Sequence, residues 1–151
     1  VRKILFSLFV TLAAALSAAT TGCAAPPPPP PHHPAYLQAL SELRVARWML
    51  EHRPGDYAQS VDEAEAVRQI DGAINDLKQA AYDDGKNVND HPPVDEVPDH
   101  RGRLHNALDH LHKAQNMISR EEDNGYANGL RGRALGHIDA AARATAHAIG
   151  S

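Results

Sequence analysis

From Ala39 to Ile149 apolar residues return every three or four positions, the repeat of one face of an α-helix. Leu40, Leu43 and Leu50 share such a face, with Ala46 and Met49 near it, and Pro54-Gly55 ends the segment. Ser60-Val61-Asp62-Glu63 has the form of a capping box, in which a hydroxyl and a carboxylate satisfy each other's backbone amides at a helix start. It opens a second stripe of Val67, Ile70, Ile74, Leu77 and Ala81, closed by Asp83-Asp84-Gly85. A polar, proline-bearing connection runs from Lys86 to about Pro98. Leu104, Leu108, Leu111, Gln115 and Ile118 form the third stripe, broken at Asn124-Gly125. The fourth is alanine-rich and carries Leu130 or Ala134, Ile138, Ala141, Thr145 and Ile149.

Shifting the sequence by 68 residues lays the first two stripes on the last two. Ala39, Leu40, Leu43, Ala46 and Met49 fall on Ala107, Leu108, Leu111, Ala114 and Met117. Ala66, Ile70, Asp71, Ala73 and Ala80 fall on Ala134, Ile138, Asp139, Ala141 and Ala148. One offset serves both helices, so the pattern reads as a duplicated hairpin. A single hairpin has an apolar face it cannot bury alone, and two together bury both. The expectation is an all-α fold: an antiparallel four-helix up-and-down bundle with hairpin one over about 35–85, a connection over about 86–98 and hairpin two over about 99–150. Asp71 and Asp139, each beside a core isoleucine, are expected to make repeated polar contacts at the edge of the core. Up-and-down order brings the start of the first helix, the connection, the start of the third helix and the end of the fourth to one end. That gathers His32, His33, His91, His100, His105 and His147 beside the segment that precedes the bundle.

That preceding segment has its own pattern. Arg2 and Lys3 lead an apolar run from Ile4 to Leu16 and a small-residue stretch to Gly22, the three parts of a secretory signal peptide over residues 1–22. Thr20-Thr21-Gly22-Cys23 then resembles the lipobox of bacterial lipoproteins, with Thr20 where that family usually has leucine. The resemblance implies cleavage before Cys23, a diacylglycerol thioether on its sulfur and an acylated new amine. Three acyl chains hold a protein on a membrane stably, since two lipid signals suffice. Ala24 after the cysteine implies, by the sorting rules of that family, the outer membrane of a two-membrane cell. The alternative is cleavage after Ala18 or Ala19, a free thiol at Cys23 and a soluble periplasmic protein. Pro26 to Pro31, His32, His33 and Pro34 complete a stalk over residues 23–34 that extends on the order of 30 Å as polyproline helix.

Composition narrows the function classes. The chain has 151 residues, 42% of them apolar and only 5% aromatic, so one helical domain follows the stalk rather than a polytopic membrane protein. The formal charge of -4 becomes -6 once Arg2 and Lys3 leave, which argues against a nucleic-acid partner. One cysteine excludes an internal disulfide framework and, without Cys-x-x-Cys-His, covalent haem.

The ten histidines are the best chemical clue. His105, Asp109 and His112 lie on one stripe of the third helix, and imidazoles with a carboxylate suit zinc, copper, nickel or iron. His105 and His112 are two turns apart, so one histidine with Asp109 and a ligand from elsewhere, such as His147, is the better metal set; solvated surface histidines are the alternative. No cofactor is otherwise expected. Asp83 to Asp90 is rich in oxygen ligands but lacks the EF-hand spacing, and a hydrated helix stop accounts for it. No Gly-x-Ser-x-Gly or phosphate-binding loop is present. The expectation is a non-enzymatic, membrane-tethered envelope lipoprotein that offers its bundle to a protein partner, with periplasmic metal binding or buffering as the alternative.

Overall fold

The capping box closes as its spacing predicts. In a computed structural model, which describes residues 34–52, 58–80, 89–94, 99–120 and 125–151 (the side chains of 125 and 126 excepted), the Ser60 amide donates to the Glu63 carboxylate at 2.7 Å. The Glu63 amide donates to the Ser60 hydroxyl at 3.1 Å. This reciprocal pair starts α2 (Val61–Ala80). Asp99 starts α3 (His100–Ser119) by accepting from the Gly102 amide at 2.6 Å. The other helices are α1 (Pro34–Glu51) and α4 (Gly125–Gly150). Pro34 suits a first turn, where its missing amide has no intrahelical partner to lose. Among the described residues there is no strand. The stops expected at Pro54-Gly55, Asp83-Asp84-Gly85 and Asn124, and Ala81 of the second stripe, lie outside the described residues, as do residues 1–33.

Most of the predicted stripe residues form the core, while Val67, Leu108, Gln115 and Ile149 are only partly buried. Leu40, Leu43, Leu50, Ile70, Leu77, Leu104, Leu111, Ile118 and Ile138 are fully buried or within 1% of it. The repeat is read out in burial: Ala39 and Ala107, Leu43 and Leu111, Ala46 and Ala114, Ala66 and Ala134, Ile70 and Ile138, Ala73 and Ala141 are all 0% exposed. Thr145 is buried as well and returns its hydroxyl to the Ala141 carbonyl at 2.9 Å, which removes the cost of an unpaired polar group.

Packing turns the two hairpins into one bundle. Glu42 meets His110 and Gln69 meets His137, each pair separated by the 68 residues of the repeat. A residue touches its own counterpart only on a symmetry axis, so a pseudo-twofold passes between α1 and α3 and between α2 and α4. Met49 lies beside Arg103 while Glu42 lies beside His110, so α1 and α3 run antiparallel. Asp62 with His147 and Asp76 with Arg133 make α2 and α4 antiparallel too. Around the ring the order is α1, α2, α4, α3, with α1 opposite α4 and α2 opposite α3.

The all-α antiparallel bundle of two hairpins therefore stands, with one difference in its path. Directions alternate around the ring and not along the chain. The chain leaves α2 at the end where α1 starts and re-enters α3 at the opposite end, level with the end of α1. The two helix ends that this connection joins therefore lie at opposite ends of the bundle, separated by the roughly 30 Å that a 20-residue helix spans, and residues 89–94 lie along α1 between them. Asn89 accepts from Arg47 of α1 at 3.1 Å, and Val94 packs on the core. This crossover lies over Val45, which is buried, while the counterpart of Val45, Lys113, is exposed. Among the described residues no helix is long and apolar enough to cross a membrane.

Candidate functional site

The two hairpins share a fold but not a chemistry. α1 and α2 carry four cationic and seven acidic side chains; α3 and α4 carry six and two. The side-chain bonds across the seam follow that imbalance. His100 donates to Glu63 at 2.8 Å, His110 to Glu42 at 2.5 Å, His147 to Asp62 at 2.6 Å and Arg133 to Asp76 at 2.9 Å. His137 donates to the Gln69 carbonyl at 2.7 Å, and Arg103 to the Met49 carbonyl at 2.7 Å. In each of these the donor is on hairpin two and the acceptor on hairpin one. Arg44 and Arg103 are almost wholly buried, and sequence periodicity missed both because α1 and α3 bury faces wider than one apolar stripe.

Two of these bonds converge on one place. Asp62 and Glu63 are consecutive at the start of α2, and they take hold of the last turn of α4 through His147 and the first residue of α3 through His100. Burial pushes the Glu63 carboxyl up, but the His100 hydrogen bond with those of Ser60 outweighs it and holds Glu63 below the ordinary carboxylate value. The Asp62 carboxylate, by hydrogen bond and by charge, holds His147 above the ordinary imidazole value.

Trp48 lies near the same end. His52 stacks on it with ring centroids 4.4 Å apart, and His91 of the crossover leans against it at 5.4 Å. Beside them the crossover roofs a recess of about 340 Å³ lined by Ser41, Glu42, Val45, Met49, Asn106 and His110 together with Pro92, Pro93 and Val94. His110 spends its Nδ1 proton on Glu42, which leaves a hydrogen-bonding surface but no activated nucleophile. Ser41 donates to the Leu37 carbonyl at 3.4 Å, Ser119 to Asn116 and Ser151 to Ala148, while Ser60 is a cap. Each of these hydroxyls is committed to its own helix.

The expected metal set is not assembled. His105, Asp109 and His112 are exposed along α3, and His147 is held by Asp62. Among the described residues no three histidine, cysteine, aspartate or glutamate side chains are placed to share a metal ion. The expected histidine geography is also corrected. His100, His105 and His147 lie at the end away from Pro34, because the crossover reverses where α3 begins; His91 leans on Trp48 near that end as well. Asp71 and Asp139 both pair with arginine, but Asp71 takes Arg47 from α1 and Asp139 takes Arg143 from its own helix, so the contact is not repeated. Tyr36 is fully buried and Trp48 half-buried, whereas Tyr57, the side chain of Tyr126, Cys23, His32 and His33 lie outside the described residues.

No protein-family model, no curated protein and no solved structure matches the chain.

Proposed function

We propose that the protein is a non-enzymatic lipoprotein of the cell envelope, tethered through Cys23 and offering the far end of its bundle to a protein partner. The observation that carries this reading is directional. The signal-like segment, the lipobox-like Thr20-Thr21-Gly22-Cys23 and the proline run lead straight into α1 at Pro34. The far end, where α1 finishes and α2 begins, is then the part held furthest from the bilayer. It is also where the polar apparatus concentrates: Asp62 with His147, Glu63 with His100, and Trp48 with His52 and His91. Val61, 86% exposed, stands at its rim. The commitment of Ser41, Ser60, Ser119 and Ser151 to backbone partners supports a presenting role over nucleophilic catalysis.

Fractionation tests the tether. The wild-type chain is expected in the membrane fraction with an acylated N-terminal Cys23, and Cys23→Ser is expected in the soluble fraction. A photo-crosslinker at Val61 is expected to capture one envelope protein that a crosslinker at Leu37, near the stalk, does not. Membrane retention of Cys23→Ser, or equal capture at both positions, refutes the reading.

A further inference from the structure

We infer that the far end carries a proton-operated clasp: Asp62 grips the last turn of α4 through His147 while this imidazole is protonated, beside the Glu63–His100 bond that ties α2 to the start of α3, and rising pH lets the last turn of α4 open. The inference rests on the far end being the presented surface, because it makes that surface responsive to the acidity of the compartment.

The geometry assigns opposite roles to neighbouring helix ends. α2 and α4 are antiparallel, so the positive end of the α2 dipole lies beside the negative end of α4. Asp62 and Glu63 carry their charge in the first turn of α2, and His147 stands in the last turn of α4. Each is thus on the side its own helix dipole favours, and the two signs meet at 2.6 Å. At the other end of hairpin two, His100 at the start of α3 hydrogen-bonds the buried Glu63 carboxylate at 2.8 Å, one residue after the Asp99 cap. Protonation of His147 converts its contact with Asp62 into an ion pair; deprotonation leaves a neutral imidazole and removes the charge that draws α4 onto α2.

The described charged neighbours do not compete for these partners. On α1, Glu51 is taken by Arg47, and His52 lies on Trp48. On α2, Glu65 is taken by Arg68 and Gln69. On α3, Arg103 reaches the Met49 carbonyl, and Arg101 is exposed. On α4, Arg143 is taken by Asp139 one turn before His147. The direction of the response follows from the two perturbed groups. His147, raised above its ordinary 6.5, contributes fully below that value and loses its contribution as pH climbs through its folded value. Glu63, lowered from 4.5, contributes fully above that value and fails only in stronger acid. The clasp is therefore closed between about pH 4.5 and 6.5 and opens on the alkaline side.

Amide hydrogen exchange on the full chain carrying Cys23→Ser reads this directly. Protection in residues 146–150, taken relative to residues 138–142 of the same helix and corrected for intrinsic rates, is expected to fall about two- to fivefold from pH 6 to pH 8, the size of one exposed ion pair. His147→Gln and Asp62→Asn are expected to abolish that fall, and His105→Gln, on the exposed face of α3, to leave it intact. A constant ratio in the wild-type chain, or a fall that survives both variants, overturns the clasp. The wild-type measurement decides the matter even where a variant fails to fold. It needs no partner, so a missing crosslink at Val61 with pH-dependent exchange indicts the presenting role, and the opposite result indicts the clasp.

Discussion

Replacing Glu63 separates the three jobs of one side chain. Glu63 is 0% exposed, accepts from the Ser60 amide to close the capping box, and receives the His100 proton donor across the bundle. Glu63→Ala removes all of these. Losing the cap costs about 1 kcal/mol. Losing the hydrogen bond between a buried carboxylate and the half-buried His100 ring costs about 1.5–3 kcal/mol. Alanine's better helix propensity returns no more than roughly 0.5 kcal/mol. The net expectation is a destabilisation of about 2–3.5 kcal/mol. Glu63→Gln keeps an amide oxygen for Ser60 and removes only the charge, so about 1 kcal/mol of loss is expected, the scale of one net hydrogen-bond contribution. Urea unfolding followed by helical circular dichroism at pH 6 gives both values, and a cycle with His100→Gln isolates the pair. In that cycle His100→Gln should cost little once Glu63→Gln is present. Two results would break the reasoning: Glu63→Gln as damaging as Glu63→Ala, or Glu63→Ala within experimental error of the parent.

Other consequences follow from the same geometry. Gly132 and Gly136 lie inside α4 with open space where a side chain would begin, so Gly132→Ala and Gly136→Ala are each expected to raise stability by about 0.5–1 kcal/mol, measured by the shift in urea midpoint. Gly72 differs, because a Cβ there would stand 3.0 Å from the His137 ring; Gly72→Ala is expected to gain less than either and to displace the His137 contact with Gln69, visible as a change in the His137 imidazole resonances. The crossover path is checked by Glu42→Cys with His110→Cys, which should form a disulfide under mild oxidation without loss of helicity; a pair that stays reduced speaks against the axis. His105→Gln with His112→Gln should leave stability within about 0.5 kcal/mol, since both side chains are exposed on α3.

What the chain determines locally was readable from its residues alone. The stripe Ile70, Ile74, Leu77 and its counterparts needed only helical period, because burial of one face is set by spacing within a segment. Ser60 and Glu63 needed only their separation of three, because a cap is a contact within one turn. The 68-residue repeat was equally plain, since six of the matched pairs, from Ala39 and Ala107 to Ala73 and Ala141, are buried in both halves.

Which end of each hairpin meets which was decided only in three dimensions. The stripes of α3 and α4 fit α1 and α2 in either order around the ring, and a nineteen-residue connection is long enough for both, so nothing in the periodicity distinguished them. The packed bundle chose the order that sets the donors of α3 and α4 against the acceptors of α1 and α2: His110 against Glu42, His147 against Asp62, His100 against Glu63. Such pairings join residues 37 to 85 positions apart, and their energy depends on burial and on the helix ends they meet, quantities that exist only once the chain has folded.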